Sequence, residues 1–199
     1  MRELHEILLA SASPRRRELL SSLGLHVLVV PSDVDEGDRP GYAPRDLASL
    51  HANAKADAVA ARYGSHVILA ADTVVDVDGA SLGKPLDPAE AAAMLRRLSG
   101  REHLVHTAYA LVDGASGRRL GGSETTRVRF HPLAEDEIAT YVASGDPFDK
   151  AGGYGIQGRG AVLVAGIEGD FYTVMGLPLG AVARRLRELG YALPVEVRA

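Results

Sequence analysis

The sequence predicts an α/β protein built on a mixed β-sheet, and three observations carry that prediction. Brief apolar runs such as "EILLA" (residues 6–10) and "HVLVV" (residues 26–30) are too short for helices and read as buried strands. Farther along the chain, apolar residues recur every third or fourth position, as in Leu47, Leu50, Ala54, Ala58 and Ala61, which is the stripe of an amphipathic helix. Gly-containing turns then join further β-rich runs, inserting hairpins among alternating strands and helices.

Residues 6–10 form the first strand. The stretch "SASPRRRELL" turns out of it into a helix, with Ser13 as N-cap and Pro14 at the first helical position. Gly24 is the C-cap, and residues 26–30 are the second strand. The acidic, Pro- and Gly-rich "PSDVDEGDRPGYAP" is a loop. A helix over 46–63 is N-capped by Asp46, with Lys55 bordering its apolar stripe. A buried strand over 67–70 leads to Asp72, and Val74, Val75 and Val77 enter a hairpin at Asp78-Gly79. Residues 88–98 are helical and closed by Ser99-Gly100.

Two long runs, "EHLVHTAYALVD" and "RRLGGSETTRVRF", are joined by residues 114–117 and predict an antiparallel pair. A helix over 134–143 ends at Ser144-Gly145, and "DPFDKAGGYGIQGRG" is a glycine-rich loop. "AVLVAGIEGDFYTVMG" reads as a second hairpin, and residues 179–189 as the closing helix. With no long linker, repeat or low-complexity tract, residues 1–199 read as a single domain.

A chain of 199 residues with 46% hydrophobic content can bury one sizeable core or one domain with two lobes. Aromatic residues are only 5% and Trp is absent, so aliphatic side chains and Ala fill the interior. A net charge of −4 argues against nucleic-acid binding through bulk charge, so any anion site is built locally. With no Cys, disulfides, thiolate zinc sites and Cys nucleophiles are excluded, and a cytoplasmic setting fits. The N-terminal apolar run is too short for a signal peptide, and no stretch approaches the roughly 18 apolar residues of a membrane span.

Several motifs fail on context. "GYGIQG" has the dinucleotide-fingerprint spacing but follows a loop and precedes a strand. "GASLGKP" is one residue short of a phosphate loop and has Pro85 where Ser or Thr belongs. "DVDG" lacks the later ligands of a calcium loop. His103 and His106 face opposite sides of one strand and read as ordinary strand histidines.

Other features point to phosphate. Arg15, Arg16 and Arg17 crowd the positive end of a helix dipole, where each exposed cation costs about 0.3–1 kcal/mol. A polyphosphate would offset that cost, because helix N-termini and forked guanidinium groups both bind anions. Ser11 and Ser13 add hydroxyl donors; the alternative is a solvated basic face with Glu18 paired to an arginine. Lys84 in "GKP" and Lys150 in "DKAGGYGIQG" are further cations beside loops where backbone can approach a ligand closely. Asp72 follows a buried strand, where an ionised carboxylate needs a metal, a donor or a proton in transit. Glu36 in the acidic loop is a second candidate carboxylate, with a solvated loop as its alternative.

The motifs "LASASPRRRELL", "ADTVV", "LGKPLDP", "MLRRLSGREH", "DKAGGYGIQGRGA" and "VMGLP" occur in this order from about Ile7 to the closing helix. Together they resemble the Maf family of nucleoside triphosphate pyrophosphatases. The resemblance implies an elongated mixed sheet flanked by helices, with two lobes around a cleft, as in the wider ITPase-like house-cleaning group. It implies cleavage between the α and β phosphates, giving a nucleoside monophosphate and pyrophosphate. By motif match, Asp72 corresponds to the proton acceptor, and Glu36 to an acidic position tied to metal and catalysis. Ser11, Arg15, Arg16, Lys55, Lys84 and Lys150 correspond to phosphate- or substrate-contacting positions. Arg15, Thr73 and Gln157 match positions that separate substrate subgroups, in the pattern of the subgroup acting on dTTP and UTP.

The implied cofactor is Mg²⁺ or Mn²⁺, held by Asp72 and Glu36. The implied partner is a nucleoside triphosphate, with no nucleic acid and no membrane, and the resemblance suggests a homodimer. Departures are small: Gly153 stands where Ala is common, Asp35 where Glu is often seen, and "HANAKA" around Lys55 is less typical. Three alternatives stay open: the same chemistry on CTP or a modified purine nucleotide, a nucleotide-sensing septum-formation regulator with little turnover, and a phosphatase releasing orthophosphate.

Overall fold

The computed structural model describes residues 1–35, 37, 39 and 41–194. Its strands are β1 (Arg2–Glu3), β2 (Glu6–Leu9), β3 (His26–Val29), β4 (Val67–Val77), β5 (Ala80–Leu82), β6 (Glu102–Asp113), β7 (Arg118–Phe130), β8 (Val164–Glu168) and β9 (Tyr191–Ala192). Its helices are α1 (Pro14–Ser21), α2 (Pro44–Ala60), α3 (Pro88–Leu98), α4 (Glu135–Ala143), α5 (Phe171–Met175) and α6 (Leu179–Glu188).

The main sheet runs β3-β2-β4-β6-β7-β8, with β5 also paired to β4, while β1 and β9 pair by themselves. The β2–β3 and β2–β4 pairs are parallel, and β4–β6, β6–β7 and β7–β8 are antiparallel. The mixed sheet flanked by helices is the architecture the sequence predicts. Its two faces show the period of two that strands impose. Ile7, Leu9, Leu69 and Ala71 pack with Leu20, Leu177, Val182 and Leu186 on one face. Leu8, Ala10, Ile68 and Ala70 pack with Ala56 and Val59 of α2 on the other. Farther along β4 and β6, Val75 and Val105 join a second cluster with Leu95, Leu98, Phe130 and Ile138. Each large side chain taken fully out of water contributes about 1.5–3 kcal/mol, so both faces of the sheet anchor helices.

Four local expectations are corrected. The helix expected over 46–63 is Pro44–Ala60, with Ala43 rather than Asp46 at the N-cap. Pro44 starts it two residues early, because its fixed φ suits the first helical position. The helix after Ser13 ends at Ser21, so Gly24, at φ +77°, turns the chain beyond the helix rather than capping it. The hairpin expected over 161–176 is β8 followed by α5: the Asp170 carboxylate accepts from Thr173 N at 2.7 Å and caps a helix there.

The fourth correction concerns Asp72. The sequence ends a strand at residue 70, yet β4 continues to Val77 because β6 pairs with it from Val67↔Asp113 to Asp76↔Leu104. Asp72 is therefore mid-strand, opposite Ala108. The strand that ends nearby is β2, which pairs with β4 only at Leu8↔Ile68 and Leu9↔Leu69. On the same side, β5 begins to pair at Val75↔Leu82. Residues 70–74 of β4 thus have β6 on one side and no described strand on the other.

Candidate active site

A cleft of about 600 Å³ opens at this bare edge of β4. The end of β2 and the start of α1 supply Ser11, Ser13, Arg15 and Arg16 to its wall; α2 supplies His51 and Lys55. Asp72 and Thr73 come from β4, Lys84 follows β5, and Lys150 and Gln157 come from the glycine-rich loop. The candidates named from the sequence thus line one cleft, except Arg17, which is not in its wall, and Glu36, which lies outside the described residues.

Asp72 lines the cleft and is buried. Lys55 Nζ donates to Asp72 Oδ1 at 2.7 Å, and His51 Nδ1 lies 3.3 Å from Asp72 Oδ2. Burial pushes the Asp72 carboxyl up, but His51, Lys55 and Arg16 together outweigh it and hold the group below its ordinary value. Asp72 is accordingly ionised at neutral pH. The residue pattern alone puts Lys55 only at the border of an apolar stripe and misses His51 altogether. The available signal is their spacing: residues four apart on a helix share a face, and this face of α2 lies on β4.

The three arginines separate by role. Arg16 is buried, donating from Nε to the Gly176 carbonyl at 2.8 Å, from Nη1 to Ser11 Oγ at 2.9 Å and from Nη2 to Thr73 Oγ1 at 3.0 Å. Arg15 reaches across the cleft, where Nη1 donates to Asp149 Oδ2 at 2.8 Å. Arg17 is exposed. Lys150 Nζ donates to Asp149 Oδ1 at 2.6 Å, and to the Asp146 carbonyl and carboxylate at 2.6 and 3.1 Å. Burial raises the Asp149 carboxyl, and Lys150 and Arg15 more than reverse that. Asp149 was not singled out from sequence, although it directly precedes Lys150. Lys84 and Gln157 are exposed on the rim. His103 and His106 lie away from the cleft, His103 against Tyr154 and His106 between Asp76 and Thr125, as strand histidines with structural partners.

No group of three His, Asp or Glu side chains able to hold a metal ion occurs among the described residues. Asp72 nevertheless fits a hard divalent cation. It is an ionised carboxylate facing the cleft, two oxygens offer about four acceptor positions, and Lys55 and His51 occupy one on each. Magnesium characteristically takes one or two carboxylates and fills its remaining positions with water and phosphate oxygens.

This is a mixed-sheet α/β protein whose cleft, at a bare strand edge, sets an ionised aspartate and several cations in one wall, chemistry suited to a polyanion. The chain belongs to the Maf family: the family model described as Maf-like protein matches residues 6–189. It is 48% identical over 190 residues to a protein of Symbiobacterium thermophilum named dTTP/UTP pyrophosphatase, covering 96% of this chain and 97% of that one. A protein of the same name from Moorella thermoacetica is 50% identical over 187 residues, covering 94% and 96%. Among solved structures, the fold is similar to a HAM1 protein from Coxiella burnetii, with a TM-score of 0.50 and 18% identity, covering 93% of this chain and 100% of that one. No helix among the described residues is long and apolar enough to cross a membrane.

Proposed function

We propose that this chain hydrolyses dTTP and UTP to the nucleoside monophosphate and pyrophosphate, acting as one domain. The observation that carries this is the ionised Asp72 carboxylate, buried among cations in a cleft that also presents Arg15, Lys84 and Lys150. The names of the relatives, at 48% and 50% identity across nearly the whole chain, support the pyrimidine triphosphate as substrate.

The attacking water gives a proton to Asp72 as its oxygen bonds to the α phosphorus. The bond from that phosphorus to the oxygen bridging to the β phosphorus breaks, and pyrophosphate leaves with the oxygen. Arg15, Lys84 and Lys150 neutralise charge that grows on the leaving group, the kind of preorganised stabilisation that supplies most of the rate in phosphoryl transfer. Lys55 and His51 hold the Asp72 carboxylate in place. Asp72, with Glu36 as second ligand, would hold Mg²⁺ or Mn²⁺, which when bound neutralises phosphate oxygens. A cytoplasmic homodimer belongs to the same proposal.

The test is a panel of nucleoside triphosphates scored separately for pyrophosphate and orthophosphate, with and without magnesium. Pyrophosphate and monophosphate from dTTP and UTP, dependent on magnesium, are expected. Orthophosphate release, preference for CTP or a purine nucleotide, or nucleotide binding without turnover overturns the proposal.

A further inference from the structure

Thr73 and Thr107 face each other in register across β4 and β6, with hydroxyl oxygens 2.9 Å apart. The distance alone leaves open which of them donates. The next link decides it. Thr107 Oγ1 lies 2.7 Å from the Thr173 carbonyl oxygen, and a carbonyl can only accept, so the single Thr107 hydroxyl hydrogen goes there. Thr107 then accepts from Thr73, which uses up the Thr73 hydrogen. On the other side Arg16 Nη2, which can only donate, gives a hydrogen bond to Thr73 Oγ1 at 3.0 Å.

Hydrogen bonds therefore run one way, from Arg16 through Thr73 and Thr107 to the Thr173 carbonyl. The far end is fixed: Thr107 and Thr173 are fully buried, and Thr173 is tied through N and Oγ1 to the Asp170 carboxylate at 2.7 and 2.9 Å. Thr73 lines the cleft and is only half-buried. Of its two acceptor positions one is taken by Arg16, and towards the cleft the hydroxyl can offer only the other.

Resting on the pyrimidine nucleotide proposed above, we propose that its base lies against Thr73 and that Thr107 is a positioning residue: it makes Thr73 an obligate acceptor, which selects the N3–H of uracil or thymine over the bare N3 of cytosine. Uracil and thymine bring a hydrogen to that oxygen. Cytosine brings a lone pair, and two facing acceptors in a partly desolvated site leave both unsatisfied. Gln157 cannot make this distinction alone, because its amide carries both a donor and an acceptor. A hydroxyl free to turn would serve either base equally.

The experiment measures kcat/KM for pyrophosphate release from UTP and CTP in the wild type, Thr107→Val, Thr107→Ala and Thr107→Ser. Valine keeps the volume and removes the hydroxyl; alanine removes it without placing a new methyl in the core. In both, the UTP-to-CTP ratio should fall about tenfold. In Thr107→Ser, which restores the hydroxyl, it should return to about the wild-type ratio. An equal loss on both substrates, an unchanged ratio in the variants, or a wild type that does not discriminate overturns the assignment of Thr107 and leaves the pyrophosphatase proposal standing. A wild type that releases no pyrophosphate from UTP or dTTP overturns both.

Discussion

Lys55 Nζ and Asp72 Oδ1 lie 2.7 Å apart, with both side chains less than a tenth exposed. Removing one partner of a buried pair costs about 3–5 kcal/mol where nothing else compensates the charge left behind. In Lys55→Met the Asp72 carboxylate keeps His51 and Arg16, so the variant should destabilise the fold by less than that in urea unfolding. Asp72→Asn should lower turnover by about 10²–10⁴-fold. The double variant Lys55→Met/Asp72→Asn should regain stability relative to Lys55→Met and regain no activity. Wild-type turnover in Asp72→Asn removes Asp72 from the proton-accepting role.

The depressed Asp72 carboxyl fixes a pH dependence. A group whose folded pKa lies below its unfolded value contributes stability above the unfolded pKa and loses it as pH falls through the folded one. For Asp72 that loss starts near the ordinary 3.8 and proceeds below it. A profile of kcat/KM against pH should therefore show no acid limb from Asp72 above about pH 4. In Lys55→Met, where the cation no longer offsets burial, an acid limb should move up into the measurable range. A wild-type limb near pH 6 that Lys55→Met leaves in place assigns the essential base elsewhere.

The element pattern and many of the residues that line the cleft were legible in the sequence, because both depend on local signals. Strand runs, the Pro14 and Pro88 helix starts and the Asp78-Gly79 turn are written in neighbouring residues, and so are the cations beside loops. What was illegible depended on partners distant in sequence. Continuous pairing with β6 turns the expected strand end at residue 70 into mid-strand, so the open edge at Asp72 comes from β2 stopping, not from β4 stopping. The burial of Lys55 depends on α2 lying on that strand, and Asp149 finds Arg15 across 134 residues. The α5 helix was missed because a single cap, Asp170, outweighs the strand-like run that follows it.

His103 is buried with Nε2 at 2.7 Å from the Tyr154 hydroxyl and packs edge-on against Phe130 and Tyr154. Burial pulls its pKa from 6.5 down to about 4. The unfolded chain therefore binds a proton between those values that the folded chain refuses, so stability is full above about pH 6.5 and falls as the pH drops towards 4. At 1.36 kcal/mol per pH unit that window is worth about 3 kcal/mol. His103→Gln should flatten the pH dependence of the urea midpoint between pH 7 and 4.5, whatever it does to stability at pH 7. An unchanged slope means that His103 is not the group responsible.

Arg15 and Lys150, two of the cations proposed to grip phosphate, both rest on the Asp149 carboxylate. A triphosphate must compete with that carboxylate for them. Asp149 is 58% exposed, so its pairs are worth at most about 1 kcal/mol each, or about fivefold in binding. Asp149→Ala should lower KM for UTP by no more than about fivefold and leave kcat unchanged, since Asp146 still holds Lys150. A raised KM makes Asp149 part of the grip rather than its competitor.

Gly160 shows how the glycine-rich loop is held in the cleft wall. A Cβ built there would fall 2.8 Å from the Tyr141 hydroxyl and collide with the Gly155 carbonyl. That hydroxyl donates to the Asp146 carboxylate at 2.6 Å and accepts from Gly155 N at 3.1 Å, so it ties the start of the loop to its middle. Neither backbone nor hydroxyl can yield without moving residues 155–157, which include Gln157. Gly160→Ala should cost about 1–3 kcal/mol in stability, as overpacking does, and should raise KM for UTP more than it lowers kcat. The control is Arg159→Ala, at an exposed neighbour, which should leave the melting temperature in place. If Gly160→Ala melts and binds like the wild type, the close approach at this position has no part in holding Gln157.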